Sequence, residues 1–440
     1  MARRKRHVWM LLPAFCVAGV TASYAADTNV ESQLRLLQQQ NEILQSQLRQ
    51  QQELIESLRH DVADIRKNDD QRDAELKNEK TAAGESEESS KPAGFHFGNV
   101  HLSGEGGAGF FETGSQGAFP NAEFRVDEAK LFVDAQVWGD VYAFAELNLA
   151  TREQPDVDLH LGELYLDVED ISKLWGRTGQ LNARIGRLDI PFGEEYLTRD
   201  VIDNPLISRS LSDLWGVDEG LELYGALGKF NYVVAVQNGG LPDTRDFTAD
   251  KSVAGRLSYD PTPHLHFSLS GMRTGDLSTP NDALSALWFA DGFVRPLGGT
   301  VFHANLVEAD AQWRWSRGHV QAFGGYIRYN DNDPSANNQR DVYYYSIEGV
   351  QDVTHKLYAS ARFGQIFAPK GFPLVGEGDM STYLFGPLAD EMWRLSLGLG
   401  YKWNQHFVVK TEYTIERGNS VSGPDRSHED LFATEAVFGF

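Results

Sequence analysis

The sequence predicts an all-β protein: a sixteen-stranded antiparallel transmembrane β-barrel preceded by an N-terminal α-helical coiled coil. Three observations predict it. Residues 93–440 read as about sixteen short stretches of alternating polarity, the side-chain period of strands. The links between them alternate between short and long. The last residue is aromatic, Phe440. With no helical pattern between the strands, the sheet is expected to close on itself, with one solvent outside and another inside. In lipid, closure leaves no unpaired backbone edge. Sixteen strands enclose an aqueous lumen, where eight would be filled by side chains.

The elements follow in chain order. Arg3, Arg4, Lys5 and Arg6 precede an apolar run, Val8–Val20, interrupted by Pro13. A membrane-crossing helix needs about 20 apolar residues, so this run is too short. Ser23 and Ala25 satisfy the small-residue rule for cleavage, and residues 1–25 read as a signal peptide cut after Ala25. Cys16, the one cysteine, lies inside it, so the mature chain is held by hydrogen bonds and packing rather than disulfides. A mean hydropathy of −0.40 excludes a helical membrane protein. The net charge of −23 argues against nucleic acid as a partner.

Residues 26–67 carry an unbroken heptad repeat and read as a periplasmic coiled coil. Leu34, Asn41, Leu48, Ile55 and Val62 occupy one seam position; Leu37, Leu44, Leu58 and Ile65 occupy the other, together with Val30 and Gln51. So narrow an apolar stripe is marginal alone and should associate. Asn41 in the seam would set register and limit oligomer number. Residues 68–92 are polar and acidic and read as a flexible linker.

Within residues 93–440 the alternation is clearest in four stretches. Ala129, Leu131, Val133, Ala135 and Val137 oppose Glu128, Lys130, Asp134 and Gln136. Val141, Ala143, Ala145, Leu147 and Leu149 oppose Tyr142, Phe144, Glu146, Asn148 and Arg152. Trp393, Leu395, Leu397, Leu399, Tyr401 and Trp403 oppose Arg394, Ser396, Gly398, Gly400 and Lys402. Phe407, Val409, Thr411, Tyr413 and Ile415 oppose Lys410, Glu412, Thr414 and Glu416. Aromatic residues at both ends of the third apolar face are what a lipid-facing strand needs at two membrane interfaces. Short links sit at Gly139-Asp140, Gly228-Lys229, Asp260–Pro263, Ser316–Gly318, Asp352–His355 and Asn404-Gln405, with longer ones between most of them. The competing architecture, a soluble sandwich or propeller, would bury its apolar faces.

At residues 183–195 the chain reads Ala-Arg-Ile-Gly-Arg-Leu-Asp-Ile-Pro-Phe-Gly-Glu-Glu. This stretch, with Gly186, Pro191, Phe192 and Gly193, resembles the G-x-x-x-x-P-F-G motif of the phosphate-selective porin O and P family. Glu123–Leu131 and Phe144–Leu147 look like that family's early strands. The resemblance covers residues 98–238. It implies a sixteen-stranded outer-membrane barrel, a homotrimer, and a third long loop folded into the pore; an N-terminal coiled coil is also seen among related porins. The family's phosphate selectivity rests on an arginine ladder and a lysine cluster. This chain shows no dense cationic run and its barrel segment is acidic, so anion or phosphate selectivity stays an implication of the resemblance alone.

The expected third loop runs from Glu194 to Gly216. It mixes Glu194, Glu195, Asp200, Asp203 and Asp213 with Arg199 and Arg209. Opposed charges across a narrowing would orient water and polar solutes and reject apolar ones. Alternation places Lys130, Asp134, Glu146, Arg184, Arg256, Glu308, Asp310, Arg314, Arg394, Lys410 and Glu412 on the lumen side. Each is equally readable as part of a salt-bridge lattice that stiffens the wall. Gly104–Gly109 spells a dinucleotide fingerprint but lies in a strand pattern with no helix after it. No catalytic, cofactor or metal constellation stands out. The expected function is passive passage of small hydrophilic solutes or ions, with outer-membrane lipid and further copies of the chain as partners. The alternative is an outer-membrane anchor whose coiled coil tethers the barrel to the cell wall or a partner protein.

Overall fold

The computed structural model describes residues 94–440, apart from 116, 118, 151–158, 215, 240–247, 279–300, 332–338, 373–388, 421–424 and 426. The signal peptide, the coiled-coil seam from Leu34 to Ile65 and the linker lie outside the described residues.

Sixteen long strands form the wall: β1 (Val100–Thr113), β2 (Glu123–Trp138), β3 (Val141–Ala150), β4 (His160–Val168), β5 (Asn182–Asp189), β6 (Val217–Leu227), β7 (Phe230–Gln237) and β8 (Ser252–Thr262), then β9 (Leu265–Arg273), β10 (Val301–Trp315), β11 (Gly318–Asp331), β12 (Arg340–Asp352), β13 (Leu357–Phe372), β14 (Ala389–Asn404), β15 (Phe407–Ser420) and β16 (Leu431–Gly439). Two short strands, Phe95–Phe97 and Leu277–Ser278, pair with the starts of β1 and β10. Each wall strand is antiparallel to the next. The ring closes where β16 pairs with β1, from Leu431 opposite Thr113 to Gly439 opposite Glu105. Phe440 completes the seam: its N–H donates to the Gly104 carbonyl at 2.9 Å, and its carbonyl accepts from the Gly104 N–H at 3.1 Å. The expected sixteen-stranded closed sheet is therefore present.

The two faces differ as alternation requires. On β14, Leu397 and Leu399 are each 50% exposed on the outer face, while Ser396, next to Leu397, is fully covered. The outer face carries two aromatic belts. Near the short turns stand Trp138, Phe230, Tyr259, Trp313, Tyr401 and Trp403, with Phe230 stacked on Tyr259 at 4.6 Å. Toward the other rim, Phe110 packs near Phe124 at 5.1 Å and Tyr326 near Tyr343 at 5.0 Å. Leucine, valine and alanine fill the band between, the pattern of a wall held at two lipid–water interfaces.

Two details depart from simple alternation. A bulge in β2, between Val126 and Ala129, puts an extra residue into the ladder and switches the outward set from Phe124 and Val126 to Ala129 and its odd-numbered successors. The link from β4 to β5, residues 169–181, is longer than the other turns on its rim. It holds a short 3-10 turn, Ile171–Trp175, braced by Lys173 against Asp140 at 2.8 Å and Asp170 at 3.1 Å. The Gly179 N–H, and then the Lys173 ammonium, hold the Asp170 carboxyl below its ordinary range.

Candidate constriction site

The connection between β5 and β6, residues 190–216, is closed at its base by the Ile190 N–H donating to the Gly216 carbonyl at 2.8 Å. From there it turns into the ring and crosses the inner face. Gly193, in the left-handed region at φ +69, makes the turn. A Cβ there would lie 2.3 Å from Glu308 Oε1. Pro191 and Phe192 are buried just before it, and Gly186 approaches β4 so closely that a Cβ would sit 2.1 Å from the Leu164 carbonyl oxygen. Those contacts are the physical need for the two glycines of the motif. Gly193→Val is expected to lower barrel stability by about 1–3 kcal/mol through backbone strain alone, read as a drop in the temperature at which the protein loses its folded mobility on gels.

The base of the loop is held by β8 and β9. Arg256 donates to the Gly193 carbonyl at 2.6 Å, and the Gly193 N–H donates to Ser270 Oγ at 3.1 Å. Glu194 accepts from Ser258 Oγ at 3.2 Å and lies 2.8 Å from His266 Nε2. The far part is held by β13, β14 and β15. Lys410 donates to three loop carbonyls: Val201, Asn204 at 2.8 Å and Leu206 at 3.3 Å. Glu412 accepts from the Ile207 N–H at 2.6 Å and the Ser208 N–H at 2.8 Å, as well as from the hydroxyls of Ser208 and Thr414. Arg362 bridges Glu348 at 2.7 Å, the Ser208 carbonyl at 2.9 Å and Asn204 Oδ1 at 3.1 Å. Arg394 pairs with Glu416 and donates to the Arg209 carbonyl at 3.1 Å. On a third side, Lys130 of β2 reaches Asp200 at 2.8 Å, and Arg209 reaches Glu128. Ile207 also packs into an apolar cluster with Phe111, Phe119, Leu431 and Ala433. A loop touching inward-facing residues of β2, β8–β10 and β13–β15 lies across the lumen.

The residues expected at the site fall into distinct surroundings. Arg199 and Asp213 form a buried pair within the loop, 2.7 Å apart. Burial, reinforced by the Asp213 carboxylate, pushes the Glu195 carboxyl up to about 6; it accepts from the Ser210 N–H at 2.8 Å. Asp203 is exposed. Arg394, Lys410 and Glu412 occupy inward positions as alternation requires, but the loop covers them to 3%, 2% and 1% exposure, so they hold the loop rather than face open water. Glu308 accepts from the Tyr344 hydroxyl at 2.6 Å, and Asp310 from Ser268 at 2.7 Å. Glu146 accepts from Asn148 at 3.0 Å. Arg314 lies beside the short turn, bonded to Gln312 at 2.5 Å, and Asp134 is half exposed toward the same rim.

The side left open by the loop is walled by β4–β8. A recess of about 470 Å³ there is bounded by Tyr165, Arg184, Glu222 and Tyr224 of the wall and Tyr196 of the loop. Arg184 lies between the rings of Tyr165 and Tyr224, at 5.2 and 4.3 Å, and pairs with Asp167 at 2.9 Å and Glu222 at 3.2 Å. Arg362, Glu348, Asp167 and Glu222 are site residues that sequence reasoning missed. Their inward parity was readable; the register that sets Glu348 opposite Arg362 and Glu222 opposite Arg184 was not.

No protein-family model and no curated protein matches the chain. Solved outer-membrane barrels do match in fold. An anion-selective porin from Comamonas acidovorans is similar at 10% identity and a TM-score of 0.54, over 78% of this chain and 99% of that one. The outer-membrane protein OmpT of Vibrio cholerae is similar at 11% identity and a TM-score of 0.53, over 79% of this chain and 100% of that one. The outer-membrane channel DcaP of Acinetobacter baumannii is similar at 13% identity and a TM-score of 0.52, again over 79% and 100%. At such identities the likeness is one of fold: a sixteen-stranded, porin-like barrel.

Proposed function

We propose that this chain forms a water-filled channel in the outer membrane for passive diffusion of small hydrophilic solutes or ions. The observation that carries the reading is the inward loop, 190–216, tied to three separated parts of the ring. A barrel serving only as an anchor gains nothing from narrowing its lumen, whereas a channel gains selection by width and by charge. The paired charges of the loop and wall then belong to the passage, and the outer apolar band belongs to the lipid.

We place the mature N-terminus in the periplasm, after a signal peptide over 1–25, as a coiled coil over 26–67 and a linker over 68–92. A trimer form of the similar OmpT of Vibrio cholerae supports a homotrimer, and the heptad seam supports three associating helices. The resemblance to the phosphate-selective family at residues 183–195 supports a shared loop geometry, since Gly186 and Gly193 both stand where a side chain would clash. In planar bilayers the mature protein is expected to open in steps, in groups of three. Folded protein that leaves the bilayer silent would overturn the channel reading and leave the anchor. Deleting residues 33–67 is expected to leave conductance per pore unchanged, with any loss of trimers on gels assigning assembly to the coil.

A further inference from the structure

Lys130 is outnumbered on its part of the constriction. Asp200 of the loop lies 2.8 Å from its ammonium and Glu146 of β3 lies 3.8 Å away. Glu105 stands opposite it in the β1–β2 register. Asp203, one turn along the loop, is exposed to the lumen water and lies within the electrostatic reach of Glu105 together with Asp200. Three carboxyls therefore share this ammonium, and Asp203 adds a fourth acid at the exposed edge, within reach of Lys410. Glu105 is only 5% exposed, and its Oε1 accepts no hydrogen bond from any described residue. It stands as a covered, unpartnered acceptor behind the exposed acids.

The bases elsewhere along the passage are already committed. Arg184 faces two carboxylates, Asp167 and Glu222. Arg256 is spent on the Gly193 carbonyl and Glu194. Arg199, Arg362 and Arg394 are each matched by an acid beneath the loop. An anion crossing here would meet neutralised guanidinium groups and surplus carboxyls. A cation would meet the reverse. Low-dielectric walls on both sides focus that field along the axis.

We propose that the constriction passes small cations, hydrated alkali ions and organic ammonium compounds, in preference to anions, with Asp200, Asp203 and Glu146 setting the sign. This rests on the channel reading above. Among the described residues no cluster has the geometry to hold a metal ion.

The test is the reversal potential of the full mature protein in a planar bilayer under a tenfold KCl gradient. The expected result is a potential of potassium sign that weakens as total salt rises, because screening shortens the reach of the carboxylates. Asp203→Asn is expected to lower the potassium-to-chloride permeability ratio about twofold, and Asp203→Lys to move it further toward chloride; the position is exposed, so both variants should fold. Open steps with a zero or chloride-signed potential would overturn the cation preference and leave the channel standing. An unchanged ratio in both variants would overturn the assignment of sign to this belt. A silent bilayer with folded protein would overturn the channel and this proposal together.

Discussion

Replacing Glu412 with Ala is expected to release the constriction loop and raise single-channel conductance. This carboxylate is 1% exposed and takes the Ile207 and Ser208 N–H groups at 2.6 and 2.8 Å, plus two hydroxyls. Each hydrogen bond to a charged group contributes about 1.5–3 kcal/mol, and a buried donor left unpaired costs about 1–3 kcal/mol. The wall itself keeps its ladder bonds, so the barrel should still form while the loop detaches on its β13–β15 side. Lys410 and Arg362 would be left holding carbonyls alone. Besides the larger and noisier current, trypsin should cut the folded protein after Arg199 and Arg209, both buried in the parent. Glu412→Gln, which keeps one acceptor oxygen, should fall between. Parental conductance together with an intact loop in the Ala variant would show that the loop does not depend on this contact.

The second large effect concerns the outer face. Leu397→Arg is expected to destabilise the barrel by about 2–4 kcal/mol, the range for a cation near the middle of a lipid-facing strand. Leu397 is 50% exposed on β14, between the aromatic residues Trp393 and Tyr401 of the two belts. Asp134→Arg, on the inward side and half exposed, should change folding by no more than about 0.5 kcal/mol. The pair is read by urea titration of the protein folded into phospholipid vesicles. Equal costs at the two positions would mean that lipid does not touch the Leu397 face.

These predictions draw on different layers of information. Period-two patterning is written in neighbouring residues, which is why Trp393 to Trp403 and Phe407 to Ile415 could be assigned to faces from the sequence. The motif at residues 183–195 marked the entry to the loop for a similar reason: Pro191 and Gly193 act on their own backbone. The bulge in β2 was less legible. Asp127 and Glu128 break the alternation, but only the pairing with β1 shows that Phe124 and Val126 rejoin the outer face. The pairs Arg199–Asp213 and Glu348–Arg362 were beyond reach because a charge carries no mark of its partner.

Side-chain period and turn spacing are local properties, and they suffice to read a closed sheet of about sixteen strands with a greasy exterior; the inward path of the third loop came as an implication of the family resemblance at residues 183–195. Which inward charges meet water and which lie under the loop is settled in the folded chain alone. Lys410 and Asp203 look alike as polar residues on the lumen side. One is sealed against three carbonyls about 200 positions away in the chain, and the other is open. Strand register and loop path settle that difference, and both arise from contacts between segments far apart in the chain.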